Sequence, residues 1–131
     1  MSFVGTDDLA KLVGGDGEGV VISQVVPFPE DTSVALTRAC GDLIAKHAPG
    51  TKLGFVNFEC CMTAKAIVMA LQGMGKAVTR DGLIAQFEGM KGVDVGGLRF
   101  TMAADDHQAS DQVYLTQIKG GRVVAIQSIA K

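Results

Sequence analysis

The sequence has no tryptophan, one tyrosine and three prolines among 131 residues, and it has no large excess of either charge. Twelve basic and fourteen acidic side chains give a net charge of −2. No basic run is interleaved with aromatic residues, so the composition argues against a nucleic acid as partner. The apolar stretches are far shorter than the roughly 20 residues that a membrane-spanning helix needs. The first residues also lack the charged and apolar segments of a secretion signal.

Cysteine is scarce as well, with Cys40, Cys60 and Cys61 forming an odd set that has no CxxC spacing. Such a set favours neither a disulfide framework nor a zinc site. It predicts three small side chains that are buried as apolar groups.

Phosphate-binding and catalytic motifs are missing. The glycines of residues 15–19 do not have GxGxxG spacing, and Gly75-Lys76 precedes Ala77 where a P-loop needs a hydroxyl. No GxSxG elbow occurs, and His47 lies in the last turn of a predicted helix, where a cation suits the helix dipole. Asp105, Asp106 and His107 are adjacent in an extended loop and point in different directions, which favours a loop or hinge over a metal site. We expect no enzyme activity, no metal and no cofactor.

The most informative feature present is the apolar run from Gly19 to Val26, which stops at Pro27 and Pro29. β-Branched residues on both faces predict a strand in the interior of a sheet that helices cover. Because proline cannot donate a ladder hydrogen bond, the strand must end at Pro27.

The rest of the chain alternates helix and strand and then becomes all strand. The predicted helices are Asp7 to Val13, a helix capped by Asp31-Thr32 that extends to His47, Glu59 to Met74, and one starting at Thr79. The predicted strands are Ser2 to Val4, Leu53 to Phe58, Leu98 to Met102, Val113 to Ile118 and Arg122 to Ile129. The last two are joined by Gly120-Gly121, a glycine pair suited to a hairpin turn.

Eight short motifs follow one another in the chain: Val25 to Pro29, Asp31-Thr32-Ser33, Pro49-Gly50, Phe55 to Glu59, Ala64 to Leu71, Thr79 to Met90, Gly96 to Met102 and Asp106-His107-Gln108. In order and spacing they resemble the C-terminal part of the type I periplasmic solute-binding proteins of ABC transporters, in the branched-chain amino acid receptor group. The chain departs from the family at Cys60, Ala103-Ala104 and Ala109, where the family commonly has glycine, Ser-Pro and glycine.

The resemblance implies an α/β fold made of Rossmann-like lobe elements that end in an antiparallel hairpin. Residues 1–28 and 105–131 would be second-lobe elements, and residues 29–104 first-lobe elements. The chain would cross between the lobes at hinge residues Pro27, Pro29, Asp106 and His107.

The resemblance also places Phe28, Phe58 and Glu59 at the cleft between the lobes, as an apolar wall and a carboxylate for an amino group. Each residue has a simpler interpretation. The phenylalanines fit core or interface positions, and an acid such as Glu59 is favourable near a helix N-terminus.

The function implied by the resemblance is that of the substrate-binding component of an ABC transporter for amino acids or related small solutes. The solute would be bound by closure of two lobes, although most of the ligand site would lie outside this chain. Its expected location is the periplasm and its expected partner the transporter permease. Exposed apolar faces would also favour a homodimer. A ligand-sensing regulatory domain of the same fold and a free-standing self-associating α/β module are the alternatives.

Overall fold

The computed structural model describes residues 5–128, which form four α-helices and five strands. The helices are α1 (Thr6–Val13), α2 (Ala35–His47), α3 (Phe55–Met74) and α4 (Arg80–Glu88). The strands are β1 (Val21–Gln24), β2 (Val93–Asp94), β3 (Arg99–Phe100), β4 (Tyr114–Lys119) and β5 (Arg122–Ile126). Within the described residues, no helix is both long and apolar enough to cross a bilayer. The strand predicted for Ser2 to Val4 lies outside the described residues, and so does Ile129, the last residue of the final predicted strand.

The main sheet has three strands, with β4 between β1 and β5 and antiparallel to both. Lys119 pairs with Arg122 across a two-residue turn, in which Gly120 and Gly121 have φ angles of +57° and +70°. Positive φ at both positions is the requirement of a type I′ hairpin, which glycine meets without steric cost. The predicted α/β fold that ends in an antiparallel hairpin is therefore confirmed.

The position of β1 in the sheet differs from the prediction. Among the described strands β1 pairs only with β4, so within residues 5–128 it lies at the edge of the sheet and not in its interior. Val20 and Val25, which flank it, are 43% and 48% exposed. The β-branched composition predicted burial, but the described part of the chain supplies no strand for the second edge of β1.

The core lies among the three longer helices, the small β2–β3 sheet and the end of β1. Phe58 and Leu36 are its largest fully buried side chains. Its members are Val26, Leu36, Cys40, Phe55, Phe58, Ala66, Ala70, Met90, Val95, Leu98 and Phe100. One side of α3 packs against the core through Phe55, Phe58, Ala66 and Ala70. These residues lie on the same side because the helix repeats every 3.6 residues.

Two predicted element starts are wrong, and both errors come from side chains that bond locally. The segment from Leu53 to Phe58 is not a strand, because α3 already begins at Phe55. The Asn57 side chain accepts a hydrogen bond from Gly54 N at 2.7 Å, which satisfies one free amide at the helix start. Asp31 does not cap α2, which begins at Ala35; its Oδ1 instead accepts a hydrogen bond from Ser33 N at 3.0 Å.

The start of α4 agrees with its prediction. Thr79 is the N-cap residue, and its Oγ1 accepts a hydrogen bond from Gly82 N at 3.1 Å. A threonine in this position satisfies one of the amides that have no partner inside the helix.

The cysteine prediction is wrong. Cys40 of α2 and Cys61 of α3 form a disulfide, with their Cα atoms 6.1 Å apart, and Cys60 is free and exposed. Twenty-one positions separate the bonded cysteines in the sequence. No local motif joins them, since their proximity results from the packing of α2 against α3.

Candidate functional site

Two adjacent cavities lie between the end of β1 and the first turns of α3, and together they form what we call the β1–α3 cleft. Their volumes are about 270 and 180 Å³, and both are lined by Val25 and Glu59. The sheet contributes Gln24 to the first cavity and Tyr114 to the second. The cleft therefore lies where the main sheet meets the helical part of the chain.

Among residues 5–128, Glu59 is the only acidic side chain that lines the β1–α3 cleft. It is half-buried in the second turn of α3. Within residues 5–128, no basic side chain lies within 4.0 Å of its carboxylate, and no hydrogen-bond donor pairs with it. A carboxylate in this position is available to a cationic group of a ligand, which would form charge-assisted hydrogen bonds with it.

Phe55 is a cleft residue that the sequence analysis did not select. It is 6% exposed, lines the larger cavity and packs edge-on against Phe28, with the ring centroids 5.8 Å apart. Phe55 and Glu59 lie four positions apart on α3, so their side chains share one face of the helix. The error about the start of α3 hid this relationship, because residues four apart in a strand do not meet in this way.

A buried polar network forms one wall of the larger cavity. Gln24 is 4% exposed, and its Nε2 donates hydrogen bonds to Thr6 Oγ1 at 2.6 Å and Thr116 Oγ1 at 3.3 Å. Thr116 Oγ1 in turn donates to the Ile22 carbonyl at 3.0 Å. The Gln24 Oε1 accepts no hydrogen bond from residues 5–128, which leaves it as a second acceptor beside Glu59.

Tyr114 gives the smaller cavity a neutral polar group. Burial raises the pKa of its hydroxyl above the ordinary value, so the side chain stays protonated at neutral pH. Its Oη donates a hydrogen bond to Gln112 Oε1 at 2.9 Å.

The three predicted ligand residues are not brought together. Glu59 lines the cleft, whereas Phe58 is fully buried in the core. Phe28 is half-buried and lines a separate cavity of about 490 Å³ between α1 and β5. The contribution of Phe28 to the cleft is indirect, through its contact with Phe55.

The four predicted hinge residues lie in the two segments that join the sheet to the helical part. Pro27 is buried and Pro29 half-buried, directly after β1. Asp106 Oδ1 accepts a hydrogen bond from Gln108 N at 2.9 Å, and His107 Nε2 lies 3.0 Å from Glu88 Oε1 of α4. Their role as hinges stays a prediction.

The chain is similar to periplasmic binding proteins. A sequence model of the family described as periplasmic binding protein matches residues 1–122. A solved structure of a possible leucine/isoleucine/valine-binding protein from Rhodopirellula baltica SH 1 is 30% identical. The two structures superimpose with a TM-score of 0.86, and the match covers 96% of this chain and 34% of the Rhodopirellula chain. Comparison with curated protein sequences gave no match.

Two further structures show the same fold at lower identity. An extracellular ligand-binding receptor from Verminephrobacter eiseniae ef01-2 is 23% identical, with a TM-score of 0.81, covering 94% of this chain and 36% of that one. A branched chain amino acid ABC transporter from Thermus thermophilus with bound valine is 19% identical, with a TM-score of 0.73. The match covers 95% of this chain and 36% of the Thermus chain. The chain thus spans about a third of the length of these proteins. The matches confirm the resemblance inferred from the sequence.

Proposed function

We propose that this chain, which belongs to the periplasmic binding protein family, is part of the substrate-binding component of an ABC transporter for amino acids or related small solutes. The family is one of solute-binding proteins and not of enzymes. The observation that carries the proposal is Glu59, a carboxylate in the β1–α3 cleft that has no partner among residues 5–128.

The chemistry of the cleft suits a small solute with an ammonium group. Glu59 would accept charge-assisted hydrogen bonds from the ammonium, and Gln24 Oε1 would supply a further acceptor. Phe55 and Val25 would contact an apolar side chain of the solute. A cleft of this kind orients the ligand without a nucleophile or a general base, so the solute would be bound and released unchanged.

Both sets of predicted lobe elements line the cleft, which supports binding by closure. Gln24, Val25 and Tyr114 belong to residues 1–28 and 105–131, the proposed second-lobe elements. Phe55 and Glu59 belong to residues 29–104, the proposed first-lobe elements. A solute that touches both sets would stabilise the closed arrangement, with rotation about the segments that contain Pro27, Pro29, Asp106 and His107.

The disulfide between Cys40 and Cys61 supports a periplasmic location. Disulfides persist in oxidising compartments such as the bacterial periplasm and are rare in reducing cytosol. The proposed protein partners are the permease of the transporter and a second copy of this chain.

The proposal can be tested by titrating amino acids into isotopically labelled protein and following the amide resonances by NMR. This method detects weak binding, which is appropriate because the chain spans only a third of its relatives. Leucine, valine and isoleucine are expected to shift the resonances of Gln24, Phe55 and Glu59.

The matched variants are Glu59→Gln and Glu30→Gln, since Glu30 is an exposed glutamate outside the cleft. A hydrogen bond to a charged group contributes about 1.5–3 kcal/mol, so Glu59→Gln should weaken binding by roughly ten- to a hundredfold. Glu30→Gln should bind like the wild type. Equal binding by both variants, or no shifts at the cleft with any amino acid, would rule the proposal out.

A further inference from the structure

Gln24 is a buried amide at the wall of the β1–α3 cleft. It is 4% exposed, and it lines the cavity of about 270 Å³ together with Glu59. Its Nε2 donates hydrogen bonds to Thr6 Oγ1 at 2.6 Å and to Thr116 Oγ1 at 3.3 Å. Both hydrogens of the amide group are therefore used, and its Oε1 accepts no hydrogen bond from residues 5–128. The oxygen is thus the atom of this side chain that is left for a ligand.

The orientation of the Gln24 amide decides what the cleft can bind. An amide that turns by 180° exchanges its oxygen and its NH₂ group with little change of shape, so its hydrogen-bond partners must select one orientation. Thr6 does not select, because a hydroxyl can accept from a nitrogen or donate to an oxygen. The choice therefore depends on Thr116.

The hydroxyl of Thr116 has its proton engaged elsewhere. Thr116 Oγ1 donates a hydrogen bond to the Ile22 carbonyl at 3.0 Å, and a carbonyl oxygen can only accept. The hydroxyl is left with lone pairs to offer to Gln24, and these suit the NH₂ group and not the oxygen. The sheet holds this arrangement, since Thr116 lies opposite Ile22 on one side and Ala125 on the other. Thr116 is 1% exposed, which keeps bulk water from the hydroxyl.

We propose that Thr116 is a positioning residue that keeps Gln24 Oε1 directed into the β1–α3 cleft, so that the cleft selects solutes with a primary ammonium group. The inference rests on the proposed function and narrows its solute class. Glu59 and Gln24 Oε1 both accept hydrogen bonds, and a primary ammonium has three N–H groups to donate. A quaternary ammonium carries the same charge but has no N–H group, so it satisfies neither acceptor.

This selection concerns the ammonium end of the solute and not its carboxylate. Among the described residues, no lysine, arginine or histidine side chain lines the β1–α3 cleft. The described part of the chain therefore offers a carboxylate no cationic side chain there. Isopentylamine, which is leucine without its carboxylate, should bind to the chain within about tenfold of leucine.

The orientation of the amide can be tested first, in the wild type and without ligand. In NOE spectra of the isotopically labelled chain, the Gln24 NH₂ protons should show contacts to the methyl groups of Thr6 and Thr116. Contacts of these protons to Phe55 and Glu59, with none to Thr116, would overturn the proposal, because the nitrogen would then face the cleft.

The selection is tested by titrating two cations into the wild type and following the amide resonances. Isopentylamine and isopentyltrimethylammonium carry the same charge and the same apolar end, but the second cation has no N–H group. Isopentylamine should shift the resonances of Gln24 and Glu59 and bind at least roughly tenfold more tightly than the quaternary cation. Equal binding of the two cations would overturn the proposal, because charge alone would then explain the affinity.

The role of Thr116 is tested by Thr116→Val, with Thr116→Ser as the conservative variant. Valine lacks the hydroxyl, so the amide is free to turn and present its NH₂ group to the ammonium. The preference for isopentylamine over the quaternary cation should fall by roughly tenfold in Thr116→Val and be retained in Thr116→Ser. A purely structural role would weaken both cations alike. An unchanged preference in a folded Thr116→Val would overturn the assignment, and the two wild-type measurements decide the proposal if this variant does not fold.

Failure of this proposal differs from failure of the proposed function. If leucine shifts the cleft resonances but the quaternary cation binds as well as isopentylamine, the solute-binding role stands and the selection by Gln24 is wrong. If leucine, valine and isoleucine cause no shift at the cleft, the proposed function is wrong and the selection falls with it. The NOE contacts of Gln24 decide the orientation of the amide in either case.

Discussion

Cys40 in the middle of α2 and Cys61 in α3 are joined by a disulfide, and Cys61 is two positions from Glu59 in the β1–α3 cleft. The bond fixes the two longest helices to one another. It also limits rotation of the segment of α3 that presents Glu59 and Phe55. Helix packing and the candidate ligand site therefore depend on the same covalent link.

Reduction of the disulfide should lower the free energy of unfolding by about 3 kcal/mol, because it frees a loop of 21 residues in the unfolded chain. Urea denaturation with and without dithiothreitol measures the change, and Cys61→Ala should reproduce it. Cys60→Ser is the control and should leave the unfolding midpoint in place. A midpoint that does not respond to reductant would show that the bond contributes nothing to stability.

Gly96→Ala should destabilise the fold by about 1–3 kcal/mol. Gly96 has a φ of +102°, and a Cβ atom there would lie 2.9 Å from Lys65 Nζ and 3.1 Å from Leu36 Cβ. Gly41→Ala in α2 is the matched control. An added Cβ at Gly41 meets no atom within 4 Å, and alanine favours the helix by roughly 1 kcal/mol. Thermal unfolding should therefore move in opposite directions for the two variants.

Thr6→Val should cost about 1–3 kcal/mol, because it removes the acceptor of the 2.6 Å hydrogen bond from the buried Gln24 Nε2. Valine nearly preserves the shape of the threonine side chain, so the loss in the free energy of unfolding measures the contribution of the hydrogen bond. Thr6→Ser retains the hydroxyl and should cost less. Chemical denaturation of the two variants checks the order, and equal costs would mean that the methyl group, not the hydroxyl, matters at this position.

The stability of the wild type should fall with pH partly through Asp94. Hydrogen bonds from the amides of Gly97 and Gly96, followed by the charges of Arg99 and Lys65, lower the pKa of this carboxyl below its ordinary value. The folded protein therefore favours the ionised form. This contribution is present above the unfolded-state pKa, near pH 4, and is lost as the pH falls through the lower folded-state pKa.

Asp94→Asn should reduce the loss of stability that accompanies a fall in pH below the unfolded-state pKa, near pH 4. The asparagine Oδ1 can still accept the two amide hydrogen bonds, so the variant isolates the effect of charge. Urea midpoints measured at several pH values would show the difference. Parallel curves for the two proteins would mean that Asp94 titrates alike in the folded and unfolded chain.

Several local features could be predicted because their signals lie within a few residues. Gly120-Gly121 predicted the hairpin, since only a residue that tolerates positive φ suits both positions of its turn. Thr79 predicted the start of α4, because a threonine hydroxyl reaches an amide three positions away. The prediction that Asp31 caps α2 is wrong because of a similar short-range bond. Its carboxylate accepts a hydrogen bond from the nearby amide of Ser33 and not from an amide of the helix.

The sequence by itself determined the α/β class and the antiparallel end of the chain, because turn geometry and helix periodicity act over short distances. Glu59 was selected through the resemblance to a family and not through any local pattern. Tertiary structure alone decided the disulfide between Cys40 and Cys61, the position of β1 at the edge of the strands described in residues 5–128, and the placement of Phe55 beside Glu59. Each of these depends on which elements pack together, and no pattern within one element specifies the contacts that it makes with another.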